Sequence, residues 1–460
     1  MPTASRSDRE VILSQQDERR TGAISFGTDG VRGVANRDLT PEDAVRLGLA
    51  AARAFGGTVV VGRDTRLSGG MLSGALAAGL SAGGACVVDL GVIPTPGVAA
   101  LAPGLGASAA AVVSASHNPY PDNGIKFFSG EGRKLPVEKE REIEALTGQD
   151  AARPTGGGIG PVESLEDAAG LYARHVLARL SPDASGLKVL LDCANGAAYR
   201  AAPETFGRIG AEVTVVGAEP TGMNINEGCG STHVGCLDAS GHDVAFAFDG
   251  DADRVLAVDE GGNVVDGDRI LAILARDLHE RGSLGAGVVV TVMSNLGFFK
   301  AMERMGVPYK VTPVGDRHVA EEMLRTGAPL GGEQSGHVIL SEHATTGDGL
   351  ITALALLDVM VRSGKRLSEL ARVMEVYPQR LINVPVGGAA SAKAVAALDG
   401  VERAVAGAEK RLGDEGRILL RPSGTEPVVR VMVEHEDETV CREVCAEVAR
   451  VVEAAGREDA

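Results

Sequence analysis

Three runs of unbroken aliphatic residues constrain this chain more than anything else in it: TVVVGRDTR (58–66), LKVLLDCANGAA (187–198) and GVVVTVMSNLG (287–297). None alternates polar with apolar, so a strand built on any of them has two apolar faces to cover. Such strands belong to parallel sheets with helices on both sides. Each run stops at polar residues, and helical periodicity follows. The first is succeeded by an Ala/Leu-rich helix from Ser68 to about Gly83 and then by the strand ACVVDLG (85–91); after the second, a helix starts near Ala197; the third ends at Ser294 and Asn295. Three units of one plan predict a repeated α/β domain. In open α/β sheets ligands bind beyond the carboxyl ends of the strands, and every polar motif discussed below falls at such an end.

The domain plan follows from breaks in this rhythm. Length alone, 460 residues, suggests about three domains of ~150 residues. The Gly/Pro-rich stretch ARPTGGGIGPVE (152–163) has the composition of a linker, and the strand pair around AFAFDGDADRVLAVDEGGNVVDGD closes a second unit near residue 262. VYPQRLINVPV (376–386) opens something smaller and more mixed, ending in the helix ETVCREVCAEVARVVEAA. The expectation is an α/β protein with a polar, disordered tail over 1–23. Three related α/β domains with mixed sheets then occupy 24–160, 161–262 and 263–376, and a smaller α+β domain occupies 377–460.

Charge and composition exclude several functions. A net charge of −17 and an aromatic content of 3%, with no Trp, argue against a nucleic-acid partner, since phosphate backbones would be repelled and base-stacking rings are scarce. No run is apolar and long enough to span a bilayer. The N-terminus MPTASRSDREVILSQQDERR lacks the apolar core of a secretory signal. With no such signal, six cysteines are expected to be free thiols in the cytoplasm.

DGDADR (249–254) is the sharpest chemical feature. Asp249, Asp251 and Asp253 alternate directly after an apolar strand, where three carboxylates repel one another unless a cation or Arg/Lys groups compensate. Their hard oxygens suit Mg²⁺ or Ca²⁺. An EF-hand is excluded because Arg254 stands where the loop needs glycine, and VLAV continues as strand. The plainer alternative is a solvated acidic turn. In SASHNP (114–119), Ser116 is either a carrier of chemistry or the cap of an Asn-Pro turn. Neighbouring side chains in an extended chain diverge, which argues against a Ser116–His117 dyad.

In GGEQSGH (331–337), an extended segment would turn Glu333, Ser335 and His337 to one side, toward a polyhydroxylated ligand; a polar hairpin is the alternative. RPSGTEPVVR (421–430) sets Arg421, Ser423, Gly424, Thr425 and Arg430 around a turn, a phosphate nest without the Walker pattern. Two decoys are set aside. GLSAG (79–83) ends a helix rather than opening one, and Cys229, His233, Cys236 and His242 lack zinc-knuckle spacing. Cys441 and Cys445, one helical turn apart, are packing residues.

In this order the motifs resemble those of the α-D-phosphohexomutase superfamily and, within it, the bacterial phosphoglucosamine mutases. The resemblance spans about residues 24 to 435: FGTDGVRG, GRDTRLSG, SASHNPYPDNGIKFF, DCANGAA, TGMNINEGCGSTH, DGDADR, MSNLG, VGDRHV, GGEQSGH, TGDG and RPSGTEP. Chance agreement at so many places is negligible. The resemblance implies four domains around a central cleft. It implies that Ser116 is a phosphoserine, with Asp249, Asp251 and Asp253 holding Mg²⁺ together with a phosphoserine oxygen. Glu333, Ser335 and Arg254 would meet the sugar phosphate, and Arg421, Ser423, Gly424, Thr425 and Arg430 would grip the phosphate that is not transferred. Arg32, Lys126 and His337 fall where the family places charge stabilisers and proton-transfer groups, while Arg63 and Arg66 could offset the acidic surroundings.

The implied reaction interconverts glucosamine 6-phosphate and glucosamine 1-phosphate through a sugar 1,6-bisphosphate, glucosamine 1,6-bisphosphate or glucose 1,6-bisphosphate serving as primer. It would feed UDP-N-acetylglucosamine and cell-wall precursor synthesis. The implied partner is a phosphosugar, with no nucleic acid and no membrane, and a homodimer is compatible with the pattern. The alternatives are a phosphomannomutase/phosphoglucomutase of the same fold, or a non-catalytic phosphosugar sensor. His318 departs from the family pattern, where an aromatic is frequent.

Overall fold

A computed structural model describes residues 24–458 apart from 28, 151, 388 and 424–426; the N-terminal segment expected to be a disordered tail lies outside the described residues. The chain divides into two compact units. The first takes the chain to residue 264 together with 315–321 and 335–367; the second takes 265–314, 322–334 and 368 onward.

In the first unit a six-stranded sheet has the order Val31–Val34, Asp122–Ser129, Ala109–Val113, Thr58–Arg63, Cys86–Val92, Val162–Ser164. Thr58–Arg63 runs parallel to both of its neighbours, as its two-faced apolar sequence requires, while Asp122–Ser129 is antiparallel to the strands beside it. Every residue of Ala109–Val113 is buried. The helix Pro41–Phe55 begins in a capping box between Thr40 and Asp43, which satisfies amide groups that the first turn leaves unpaired. It lies against Gly69–Ala82 at the crossing of Gly48 and Gly79, where a Cβ on Gly79 would come within 2.2 Å of the Val45 carbonyl oxygen. GLSAG therefore packs two helices together.

A second sheet in this unit places Lys188–Asp192 parallel to Glu212–Val216 and Val244–Phe248. Val244–Phe248 then folds back antiparallel onto Val255–Asp259. Both strands of this hairpin are buried along their whole length, so the turn 249–254 emerges from apolar protein. The helix Gly349–Ser363 is capped by Asp348, whose carboxylate also accepts from the buried Tyr172 hydroxyl at 2.8 Å.

In the second unit Val288–Thr291 lies parallel to Tyr309–Thr312 and Leu330–Gly332. Three antiparallel strands, Gln379–Pro385, Val428–His435 and Gly416–Pro422, form the last domain, with the helix Glu438–Glu458 on their apolar face. Cys441 and Cys445 lie in that core, their thiols donating to the Val433 and Val431 carbonyls. Glu434 is fully buried and accepts from Asn295 Nδ2, the Leu296 N–H, Gln379 Nε2 and Arg417 Nε. That carboxylate ties the last domain to the start of helix Leu296–Met305. Among the described residues no helix is long and apolar enough to cross a membrane.

Candidate active site

The turn 249–254 presents Asp249, Asp251 and Asp253 with ligand oxygens all within 4.8 Å of one another. Among the described residues no other group of three or more Asp, Glu, His or Cys converges in this way; Cys229, His233, Cys236 and His242 do not. Burial, followed by repulsion from Asp253 and Asp251, pushes Asp249 well above the usual carboxylate range. Burial acts on Asp253 in the same sense, but Lys126, His337 and Arg254 outweigh it and hold that carboxyl well below the range. Asp251 accepts from Lys126 Nζ at 2.7 Å and from Thr95 Oγ1 at 2.6 Å. Burial alone would lower Lys126; Asp251 and Asp253 more than offset it, so its pKa is raised and the ammonium stays charged.

Ser116 reaches this cluster from the end of Ala109–Val113. Its Oγ donates to Asp249 Oδ2 at 2.5 Å, and the residue is buried. Its backbone has φ of +51°, a left-handed conformation that costs a serine about 1–2 kcal/mol. That conformation corrects one expectation. The chain is not extended here, and His117 Nδ1 lies 3.3 Å from Ser116 Oγ rather than pointing away. Burial and then the charges of Arg254 and Arg32 push His117 down to about 4, so the ring is neutral and an imidazolium is disfavoured.

The remaining sequence candidates divide. His337 is buried, with Nδ1 3.6 Å from Asp253 Oδ2. Its Nε2 accepts from the Gly347 N–H at 3.2 Å, which leaves the ring proton on the nitrogen facing Asp253. Only glycine fits at 347, since a Cβ there would lie within 2.5 Å of the imidazole. Arg254 donates its backbone N–H to Asp249 Oδ1 at 3.2 Å. Arg32 lies 3.8 Å from Asp29, and its Nε is buried with no hydrogen-bond partner among the described residues. The extended geometry expected for GGEQSGH is not found: residues 334–336 form a turn with Gly336 at φ +90°. Alternation therefore does not relate Glu333, Ser335 and His337. Ser335 Oγ is buried without a hydrogen-bond partner among the described residues.

In the second unit, Arg421 and Arg430 stand directly opposite each other on adjacent strands, and Ser423 is buried beside them in the chain. Burial and then Arg430 lower the pKa of Arg421. Like charges opposed in this way are destabilising, and a bound anion would relieve the repulsion. Gly424 and Thr425 lie outside the described residues.

Arg66 is fully buried and compensates the Asp64 carboxylate, while its other donors go to backbone carbonyls of the loop carrying Ser116. Sequence reasoning also passed over Thr95, Asp64 and Ser114. The first has no motif signal; the other two sit inside GRDTR and SASHNP but look like ordinary turn residues.

Comparison with known proteins places this geometry. Models of the four phosphoglucomutase/phosphomannomutase domains match in succession: alpha/beta/alpha domain I over residues 23–153, domain II over 171–262, domain III over 266–377 and the C-terminal domain over 381–451. The phosphoglucosamine mutase of Rubrobacter xylanophilus is 70% identical over 440 residues, covering 95% of this chain and 99% of that protein. The chain belongs to the phosphoglucosamine mutase family. It is an isomerase of the phosphohexomutase kind, with three α/β domains and a smaller C-terminal one. The phosphoglucosamine mutase of Moorella thermoacetica is 53% identical over 439 residues, covering 93% of this chain and 98% of that protein. A phosphoglucomutase/phosphomannomutase family protein from Burkholderia thailandensis has a TM-score of 0.79 at 29% identity, covering 94% of this chain and 98% of that one. The high-identity relatives thus favour the glucosamine branch of the family over the phosphomannomutase/phosphoglucomutase alternative.

The family implies a divalent cation, and the residues present fit one. Asp251 Oδ1 and Asp253 Oδ1 are buried with no hydrogen-bond partner among the described residues, and three clustered carboxylates are the donor set of a hard cation.

Proposed function

We propose that this chain interconverts glucosamine 6-phosphate and glucosamine 1-phosphate with Ser116 as the phosphoryl carrier. The observation that carries the reading is the left-handed Ser116 with its Oγ 2.5 Å from Asp249 in a buried three-carboxylate cluster. A serine there needs no general base of its own, because it enters the cycle already phosphorylated and acts first as donor. A sugar hydroxyl attacks the phosphorus, the bond from phosphorus to Ser116 Oγ breaks, and a sugar 1,6-bisphosphate forms. The hydroxyl's proton ends on Ser116 Oγ, which donates it to Asp249. In the reverse sense the other phosphate of the bisphosphate returns to Ser116 and regenerates the phosphoenzyme.

Asp249, Asp251, Asp253 and a phosphoserine oxygen would hold Mg²⁺, which when bound neutralises charge on the transferring phosphoryl group. Lys126, kept charged by its two aspartates, is a donor to phosphoryl oxygens rather than a base. His337 orients Asp253 through its Nδ1. Arg32 and Arg254 add positive charge in the same unit, and Glu333 and Ser335 serve the sugar hydroxyls. Arg421, Ser423, Gly424, Thr425 and Arg430 supply the second phosphate grip, the opposed arginines being the feature that supports it. The product suits amino-sugar nucleotide synthesis, in the cytoplasm.

The test combines ³¹P NMR of glucosamine 6-phosphate turnover, with a bisphosphate primer and Mg²⁺, with intact mass. Wild-type protein should yield glucosamine 1-phosphate and carry one phosphate increment that Ser116→Ala abolishes together with turnover. Unchanged turnover in Ser116→Ala would remove the serine from the reaction. A higher kcat/KM on mannose phosphates than on glucosamine phosphates would overturn the choice of sugar.

A further inference from the structure

The Ser116 loop is gripped by its backbone oxygens. Arg66 has five N–H donors, and every one is used: Nε to Asp64 Oδ2 at 2.9 Å, Nη1 to the carbonyls of Pro119 and Asp122 at 2.5 and 3.0 Å, and Nη2 to those of Ser116 and Asn118 at 2.8 Å each. Asn226, from the NINEG segment, donates Nδ2 to the Ser116 and Asn118 carbonyls at 2.9 and 3.2 Å. Two acceptors face that end of the amide, so the nitrogen must be the atom placed there. From the amide side, Ser114 Oγ accepts the Ser116 N–H at 2.9 Å and donates to Asp64 Oδ2 at 2.6 Å. The metal loop closes against the same carbonyl, for a Cβ on Gly250 would lie 2.5 Å from Ser116 O and 2.8 Å from Asn226 Nδ2.

These contacts do more than fill a turn. Ser116 sits at φ +51°, and residues in such conformations persist only where the surroundings over-determine them. Relaxing to negative φ would rotate Cβ about the backbone and swing Oγ away from Asp249. Both oxygens that would otherwise point freely around the serine are held by Arg66 and Asn226, which reach the loop from different sheets of the same unit.

We propose that Arg66 and Asn226 are positioning residues for phosphoryl transfer: by clamping the Ser116 and Asn118 carbonyls they hold the serine in its left-handed conformation, with Oγ on the aspartate cluster. The proposal rests on Ser116 being the phosphoryl carrier. It assigns a function to Arg66 of GRDTR and Asn226 of NINEG, whose hydrogen bonds to the loop go to its backbone carbonyls. A misplacement of about 1 Å costs roughly 10²-fold in rate, so the consequence belongs in kcat and not in sugar affinity.

Arg66→Lys has three donors for five acceptors and keeps the charge against Asp64. It should lower kcat about 100-fold, normalised to phosphoserine content, with KM within about twofold, and should shift or broaden the ³¹P resonance of the phosphoserine. Asn226→Gly removes the amide while tolerating the positive φ of that position, +59°, and should act in the same direction by about tenfold; it decides the matter if the Arg66 variant does not fold. A kcat within about twofold of wild type in the folded, phosphorylated variants, or a loss confined to KM, overturns the clamp. Wild-type protein without turnover or phosphoserine would overturn the carrier reading instead, so the two failures are distinguishable.

Discussion

Three carboxylates share a buried turn, and burial and both neighbours oppose the charge of Asp249. Neutralising it should therefore have opposite effects with and without a cation. In chelator, Asp249→Asn should raise the thermal unfolding midpoint, because repulsion is relieved. In Mg²⁺ the wild type should gain stability by mass action, ~2.7 kcal/mol at a hundredfold excess over Kd, and the variant should gain little and turn over far more slowly. Differential scanning fluorimetry across a Mg²⁺ titration, beside the activity assay, checks both arms. A variant that still gains stability from Mg²⁺ would mean that the cation binds elsewhere. His117 shows why such local reasoning needs the backbone: its neighbour's left-handed φ, not its own chemistry, brings the ring to 3.3 Å from Ser116 Oγ.

Strand pairing supplies the next level of order. Gly416–Pro422 and Val428–His435 pair so that Arg421 faces Arg430, an arrangement with no merit for a sheet left to itself. If the pair grips the phosphate that is not transferred, Arg430→Gln should raise KM about tenfold with kcat little changed, because uniform binding is lost while the reacting end is untouched. A loss confined to kcat would place Arg430 at the reacting phosphoryl group. The hairpin Val244–Phe248/Val255–Asp259 works by a similar logic. Full burial of both strands delivers the aspartates into a low-dielectric site, where their charges matter more than on a solvated turn.

At the scale of the molecule, a charge of −17 coexists with small cationic sites, and the structure shows how differently its arginines are employed. Arg66 is spent on Asp64 and on the loop carrying Ser116, and Arg417 is spent on Glu434 and the Ser294 carbonyl. Glu434 is the buried centre where the last domain meets MSNLG. Its removal leaves Arg417, Asn295 and Gln379 without their common acceptor, and breaking a buried ion pair costs about 3–5 kcal/mol. Glu434→Ala should lower the unfolding midpoint and raise hydrogen exchange at 293–297 and 416–422 in particular. Exchange rising evenly across the second unit would show that this carboxylate is not the tie between its parts.

Much of this protein was legible in its residues. Unbroken aliphatic runs demand strands covered on both sides, and polar residues at their ends mark where a ligand binds. Alternating aspartates after such a run demand compensation, and the order of eleven short motifs suffices to indicate the family. These are local facts, carried by residue type and spacing. What spacing could not supply was partnership. Ser116 meets Asp249 across 133 positions, and Asn226 meets the Ser116 carbonyl across 110. Arg66, which looked like one more cation, uses one donor on Asp64 and the other four on a loop some fifty residues away. A guanidinium's choice between a phosphate and a row of carbonyls depends on which acceptors the folded chain places within 3 Å, and two sheets have to form before that question has an answer.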